Sequence, residues 1–115
     1  MTLFRIYLVL TAILIISYTA ATVANHGLNL LPVFFGDMAQ MSWPGQFNAD
    51  FFSFLMLGGL WLAWRHHFTL VGIAFGLFIF AGGMPFLASY LLFHSVRARG
   101  DIKMLLLGEV RARQR

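Results

Sequence analysis

Apolar positions along the chain fall into three long runs separated by short polar segments. The runs cover residues 6–24, 47–64 and 68–93. A bilayer core requires about 20 apolar residues per helix, and backbone groups inside lipid must be hydrogen-bonded within their own element. The pattern therefore predicts an all-α membrane protein with three transmembrane helices. The second and third are joined as an antiparallel hairpin by the short polar segment at residues 65–67.

The segment between the first two runs, residues 25–46, mixes apolar and polar residues and is too short for an ordinary span. It predicts a short helix over residues 31–41 with Pro32 in its first turn, lying in the membrane interface or re-entering the bundle. Residues 42–45 would form a turn, and Trp43 would belong to the interfacial aromatic belt. A fourth, broken span across this segment is the alternative.

Composition supports one helical membrane domain over residues 1–115. Hydrophobic residues make up 60% of the chain and charged residues 10%, whereas soluble domains have about 25% charged residues. The lack of cysteine excludes a disulfide-stapled secreted domain. The first apolar run also has the basic start and the length of a signal peptide, but we expect it to be retained as a helix.

Positive charge concentrates at the carboxyl-terminal end. Residues 95–115 form a basic tail, in which residues 100–108 predict a short amphipathic helix on the membrane surface. The positive-inside rule places this tail in the cytoplasm, but three spans then put Arg5 outside, so the orientation stays open. The tail is too short for a fold that reads nucleic-acid bases, and we expect no nucleic-acid partner. Its bases are Arg97, Arg99, Lys103, Arg111, Arg113 and Arg115.

Small residues mark the faces through which the helices are predicted to pack. Helices in lipid associate where small residues let their backbones approach closely. Residues 82–85, Gly-Gly-Met-Pro, should also kink the third helix, because proline removes a hydrogen bond. The predicted packing residues are Gly58 and Gly59 in the second run and Gly72, Gly76 and Gly83 in the third.

Asp50 is the ionisable residue best placed for chemistry at membrane depth. It stands with Asn48 near the start of the second predicted helix, where either side chain would cap free N–H groups. Burial among aromatic rings would instead favour its protonated form and make it a proton donor. The candidates for contact with a lipid, a quinone or an isoprenoid are His26, Phe34, Phe35, Asp37, Trp43, Asn48, Asp50 and Trp61.

The histidines predict neither a metal nor a haem site. His66 and His67 are adjacent, so on a helix they would point about 100° apart, and we interpret them as a solvated polar turn. No ligand-spacing motif links the other candidates, and we expect no cofactor other than a bound lipid. The groups that three spans would bring to one side of the membrane are His26, Asp37, Asp50 and His94.

Four short motifs together resemble a known family. They are Asn-His-Gly-Leu-Asn-Leu at residues 25–30, Phe-Phe at 34–35, Phe-Asn-Ala-Asp-Phe-Phe at 47–52 and Trp-Leu-Ala-Trp-Arg at 61–65. In this order, and up to about His94, the chain resembles a family of small, uncharacterised bacterial integral membrane proteins with three helices. The resemblance implies the bacterial inner membrane. Some members are labelled as similar to membrane terpene cyclases, which implies Asp50 as the protonating acid.

These patterns favour a non-enzymatic membrane protein, an accessory or assembly subunit. It would pack against another membrane protein, or a second copy of itself, within the membrane lipids. One alternative is a lipid- or isoprenoid-binding protein, or a cyclase-like enzyme that uses Asp50 as its acid. A further alternative is a small pore or holin-like protein. A transporter is disfavoured because no acid lies near the middle of a predicted span.

Overall fold

The computed structural model describes residues 1–114 and is helical throughout, with no strand in that range. This confirms the all-α prediction. Among the described residues two helices, α1 and α4, could cross a membrane by length and composition, so the predicted three spans are not confirmed. The helices are α1 (Thr2–His26), α2 (Leu30–Ala39), α3 (Trp43–Arg65), α4 (Leu70–Arg97), α5 (Ile102–Leu107) and α6 (Glu109–Arg113).

The junction between α2 and α3 differs from the prediction. The turn predicted at residues 42–45 is wrong, because α3 already begins at Trp43 with Pro44 in its first turn. Proline fits there since the first N–H groups of a helix have no partner within it. Asn48 and Asp50 therefore lie inside α3, and the prediction that they cap it is wrong, because a cap precedes the first turn.

α4 reverses direction at Gly83. This residue has φ 57° and ψ −140°, a conformation that is essentially restricted to glycine. In a continuous helix Phe75 and Tyr90 would lie about 22 Å apart, but their ring centroids are 5.6 Å apart. The kink predicted at this point is therefore a full hairpin. Its two antiparallel limbs are residues 70–82 and 84–97.

α3 packs antiparallel against the first limb of α4 through a glycine pair. A Cβ atom built on Gly59 would lie 2.7 Å from the carbonyl oxygen of Gly76, and the reverse distance is also 2.7 Å. The two backbones are thus in direct contact. Gly58 and Gly72 also lie at this interface, whereas Gly83 forms the reversal. The core formed by α3 and both limbs contains Leu55, Leu62, Ile79 and Tyr90.

The amino terminus lies beside the tail. The Arg5 guanidinium donates to the Ser95 hydroxyl and to the Ser95 carbonyl, each at 3.0 Å. A Cβ atom built on Gly100 would lie 3.6 Å from the Cβ of Met1. We call this the basal end, where α1 begins, α3 ends, α4 begins and returns, and the tail is attached. The opposite, apical end holds His26, α2 and the start of α3.

Charge divides between the two ends. The apical end carries Asp37 and Asp50. His94 was predicted to share a side with these residues, which is wrong, because the reversal of α4 returns it to the basal end beside His66. Arg115 lies outside the described residues. All the described Lys and Arg residues are basal, namely Arg5, Arg65, Arg97, Arg99, Lys103, Arg111 and Arg113.

Candidate functional site

Four polar side chains meet at the basal end, where the second limb of α4 returns to the turn that follows α3. They are Arg65, His66, Tyr90 and His94, and we call them the basal cluster. Arg65 donates to the Tyr90 hydroxyl at 2.9 Å, and His66 Nε2 lies 2.6 Å from the same oxygen. The ring centroids of Tyr90 and His94 are 4.3 Å apart. The cluster exists only because α4 folds back.

Arg65 is the centre of this cluster and also holds the tail. The residue is 7% exposed. It donates to the carbonyls of Leu105 at 2.7 Å and Met104 at 3.3 Å. Trp61 adds a bond from its indole N–H to the Leu106 carbonyl at 3.1 Å. Side chains of α3 therefore fasten α5 to the bundle through its backbone.

The charge of Arg65 is hydrogen-bonded but not neutralised. Within residues 1–114 the ion pair is Arg113 with Glu109, at 2.6 Å, and no carboxylate pairs with Arg65. Carbonyls and a hydroxyl satisfy its N–H groups without supplying a negative charge. A buried cation without a counter-ion retains much of its desolvation cost.

A cavity of about 570 Å³ opens beside the basal cluster. Arg65, His66 and His94 form part of its wall. The tail supplies most of the remaining charge, and its only acid at the wall, Glu109, is paired with Arg113. The positive groups therefore outnumber the negative ones. The tail and α4 side chains that line it are Arg97, Ala98, Arg99, Met104, Glu109 and Arg113.

His66 shares the Tyr90 hydroxyl with Arg65. Since arginine can only donate, the Tyr90 oxygen accepts from Arg65, and it can donate its own hydrogen to His66 Nε2 when the neutral imidazole carries its proton on Nδ1. Burial lowers the pKa of His66 below its ordinary value of 6.5, and the charges of Arg65 and His67 lower it further.

This shift predicts a stability that falls in mild acid. Because the folded pKa lies below 6.5, the unfolded chain binds more protons below that pH, and the free energy of unfolding decreases as pH falls from there. Thermal unfolding in detergent micelles, followed from about pH 8 to about pH 5, measures it. His66→Gln should make the profile less steep, and His94, in the same cluster, contributes to the slope that remains. His67→Gln removes only the smallest of the three causes of the His66 shift and should change the profile less than His66→Gln does. Equal profiles for all three proteins would contradict the assignment.

The apical candidates are joined mainly by aromatic contacts. The Asn48 amide donates to the Phe34 carbonyl at 3.1 Å, which ties α3 to α2. The rings of Phe34 and Phe35 meet edge to face, with centroids 5.1 Å apart. Trp43 is 73% exposed and packs only on Phe47 among aromatic rings of the described chain. Of these contacts only the Asn48 bond joins α2 to α3, and the rings of Phe34 and Phe52, with centroids 6.2 Å apart, add a second link between the two helices.

The ionisable apical residues do not form an enclosed site. Asp50 and His26 are exposed and Asp37 is half-buried. The hypothesis of an Asp50 buried among aromatics is therefore wrong. Trp61 is basal, where its ring lies 6.0 Å from Tyr90, and is separate from the other candidates. Residues 1–114 contain no group of three or more His, Asp or Glu side chains that could hold a metal ion.

Sequence reasoning missed most of the basal cluster. The interpretation of residues 66–67 as a solvated turn holds for the exposed His67 but is wrong for His66, whose ring packs on Phe75 and Tyr90. One pattern could have indicated the site: Tyr90 and His94 are four residues apart and share a helix face. No family model, curated protein or solved structure matches this chain.

Proposed function

We propose that this chain is a non-enzymatic integral membrane protein of the bacterial inner membrane, an accessory subunit that packs against another membrane protein through α1. The observation that carries the proposal is the apical half of α1. Every residue from Ile13 to Thr22 is exposed, and Leu8 is the single buried residue of the helix. A helical segment that is largely apolar and exposed on all sides needs lipid or another protein around it.

The composition of this bare segment favours a helix as its neighbour. Its apolar residues, such as Ile13 and Leu14, suit lipid equally on every side. Ser17 and Ala21 lie one turn apart on one face, both exposed. Small residues at this spacing let a second helix approach closely. The glycines of α3 and α4 do not serve this purpose, because Gly59 and Gly76 already contact each other.

The proposed topology has two spans and one re-entrant hairpin. α1, with 25 residues, has the length and the apolar composition to cross a core about 30 Å thick. α3, with 23 residues, has the length, and in this topology it crosses although it is less apolar than α1 and α4. Each limb of α4 has a length of only about 20 Å, so α4 would enter from the basal side and return to it. The basal position of all described Lys and Arg residues then places both chain ends in the cytoplasm by the positive-inside rule.

The partner surface can be tested with two adjacent alanines. Ala21→Leu would fill the small-residue face and lower recovery of a co-purifying membrane protein by about tenfold, because overpacking a contact costs about 1–3 kcal/mol. Ala20→Leu makes the same change about 100° around the helix and is the matched control. Quantitative mass spectrometry after extraction in mild detergent provides the measurement. Equal recovery with both variants would contradict the proposal.

The cyclase-like alternative has weaker support. An acid that protonates an isoprenoid must act in an enclosed apolar site, whereas Asp50 is exposed. The cavity that contains titratable groups is basal and basic, at the other end of α3. A carbocation would be repelled there by the arginines.

A further inference from the structure

Three features of the basal cavity point to a negatively charged ligand. Arg65 is buried without a counter-ion. Two more arginines of the wall, Arg97 and Arg99, are exposed. Within residues 1–114 their guanidinium groups make no hydrogen bond or ion pair, and that of Arg97 lies 5.8 Å from the centroid of the Phe93 ring. The cavity has a volume of about 570 Å³, within the range of small-molecule sites. An anion bound here would neutralise a charge that the fold leaves uncompensated.

We propose that the basal cavity binds a phosphate group, held by Arg97 and Arg99 at its mouth and by the field of Arg65 at its floor. Phosphate fits better than a smaller anion because the planar guanidinium bonds two phosphate oxygens at once. Arg113 contributes less, since Glu109 already pairs with it. The site is independent of the α1 partner surface and would exist without it.

The position of the cavity favours a phosphate at the membrane surface. Trp61 and Trp64 lie in the last two turns of α3, whose final residue, Arg65, lines the cavity. The Arg111 guanidinium stacks 4.0 Å above the ring of Trp64 and donates to its carbonyl. Tryptophan is concentrated at the level of lipid headgroups. The phosphate can therefore belong to an anionic phospholipid or be free in solution, and both have the same recognition chemistry.

The site can be tested by tryptophan quenching. In a Trp43→Phe background the remaining tryptophans, Trp61 and Trp64, are both basal. The protein is reconstituted into vesicles of brominated phosphatidylcholine with unbrominated phosphatidylglycerol, and protection from quenching gives the relative affinity for the anionic lipid. Both lipids carry a phosphate, but the choline cation of phosphatidylcholine neutralises it and is repelled by the arginines. We therefore expect a preference of about tenfold for phosphatidylglycerol.

The matched variants are Arg99→Gln and Lys103→Gln. Both remove one exposed positive charge from the tail, but only Arg99 lines the cavity. Arg99→Gln should reduce the preference for phosphatidylglycerol to about threefold or less. Lys103→Gln should retain the preference of the parent protein. An equal decrease in both variants would show a diffuse surface attraction and overturn the proposal, as would the absence of any preference in the parent protein.

Inorganic phosphate added to the same vesicles identifies the source of the ligand. If millimolar phosphate abolishes the protection in the parent protein, and leaves Arg99→Gln unaffected, the site takes free phosphate. If the protection persists, the site takes the lipid headgroup. Both results support a phosphate site. Equal sensitivity to phosphate and to chloride at matched ionic strength would overturn it, because screening alone would explain the effect.

Discussion

Cysteines placed at residues 2 and 114 are expected to be labelled from the same face of the membrane, and a cysteine at residue 29 from the opposite face. The chain contains no cysteine, so Thr2→Cys, Gln114→Cys and Asn29→Cys each introduce a single thiol. The reason is the reversal at Gly83, which returns the second limb of α4 to the end at which α1 begins. Each cysteine is expected to be labelled from one face of the membrane only.

The measurement uses a membrane-impermeant maleimide on intact cells and on permeabilised cells. Asn29→Cys should react in intact cells, and the other two variants only after permeabilisation. His67→Cys, in the exposed turn after α3, is the internal control and should follow residues 2 and 114. Labelling of Thr2→Cys and Gln114→Cys from opposite faces would show that α4 crosses the membrane, as three full spans require.

Arg65→Met is expected to release the tail. Methionine keeps the apolar volume of the side chain but loses the bonds to the Leu105 and Met104 carbonyls. Hydrogen bonds from a charged donor contribute about 1.5 kcal/mol each at the lower limit, so the released state should become about a hundredfold more populated. Limited trypsin digestion in detergent micelles should then cleave after Lys103 about a hundredfold faster.

Two further variants distinguish release of the tail from general unfolding. Arg5→Met removes an arginine that bonds Ser95 in α4 and makes no bond to α5, and its cleavage rate after Lys103 should match that of the parent. Arg65→Lys keeps the charge but lacks the planar fork of donors and should give an intermediate rate. If Arg65→Met and the parent are cleaved at equal rates, the bonds from Arg65 do not hold the tail.

The candidate site shows why local pattern was insufficient. Asp50 attracted attention because an acid at membrane depth is costly, and sequence reasoning then had to choose between capping and burial. Neither applies, since α3 begins at Trp43 and leaves Asp50 exposed on its side. Arg65 and Tyr90, which do meet, are 25 residues apart. Their contact depends on how α4 folds between them, and neither residue carries that information in its neighbours.

The sequence by itself determined the helical class and the positions of the main helices. A chain with 10% charged residues has too few of them to cover the surface of a soluble domain. Backbone groups inside lipid must be hydrogen-bonded within their own element, which favours helices. It also showed a weak point in α4, because the Gly-Gly-Met-Pro segment cannot continue a regular helix. Packing decided how far the chain turns at that point.

Only the tertiary structure decided that this weak point is a reversal. A kinked span and a hairpin have the same local composition. They differ in which surfaces the second limb buries, and here Tyr90 packs into the core with Leu62 and Ile79. That packing returns His94 to His66, brings the tail to Arg65 and collects the basic residues at one end. The positive charges were evident from the sequence, but their common location depends on contacts between residues far apart in the chain.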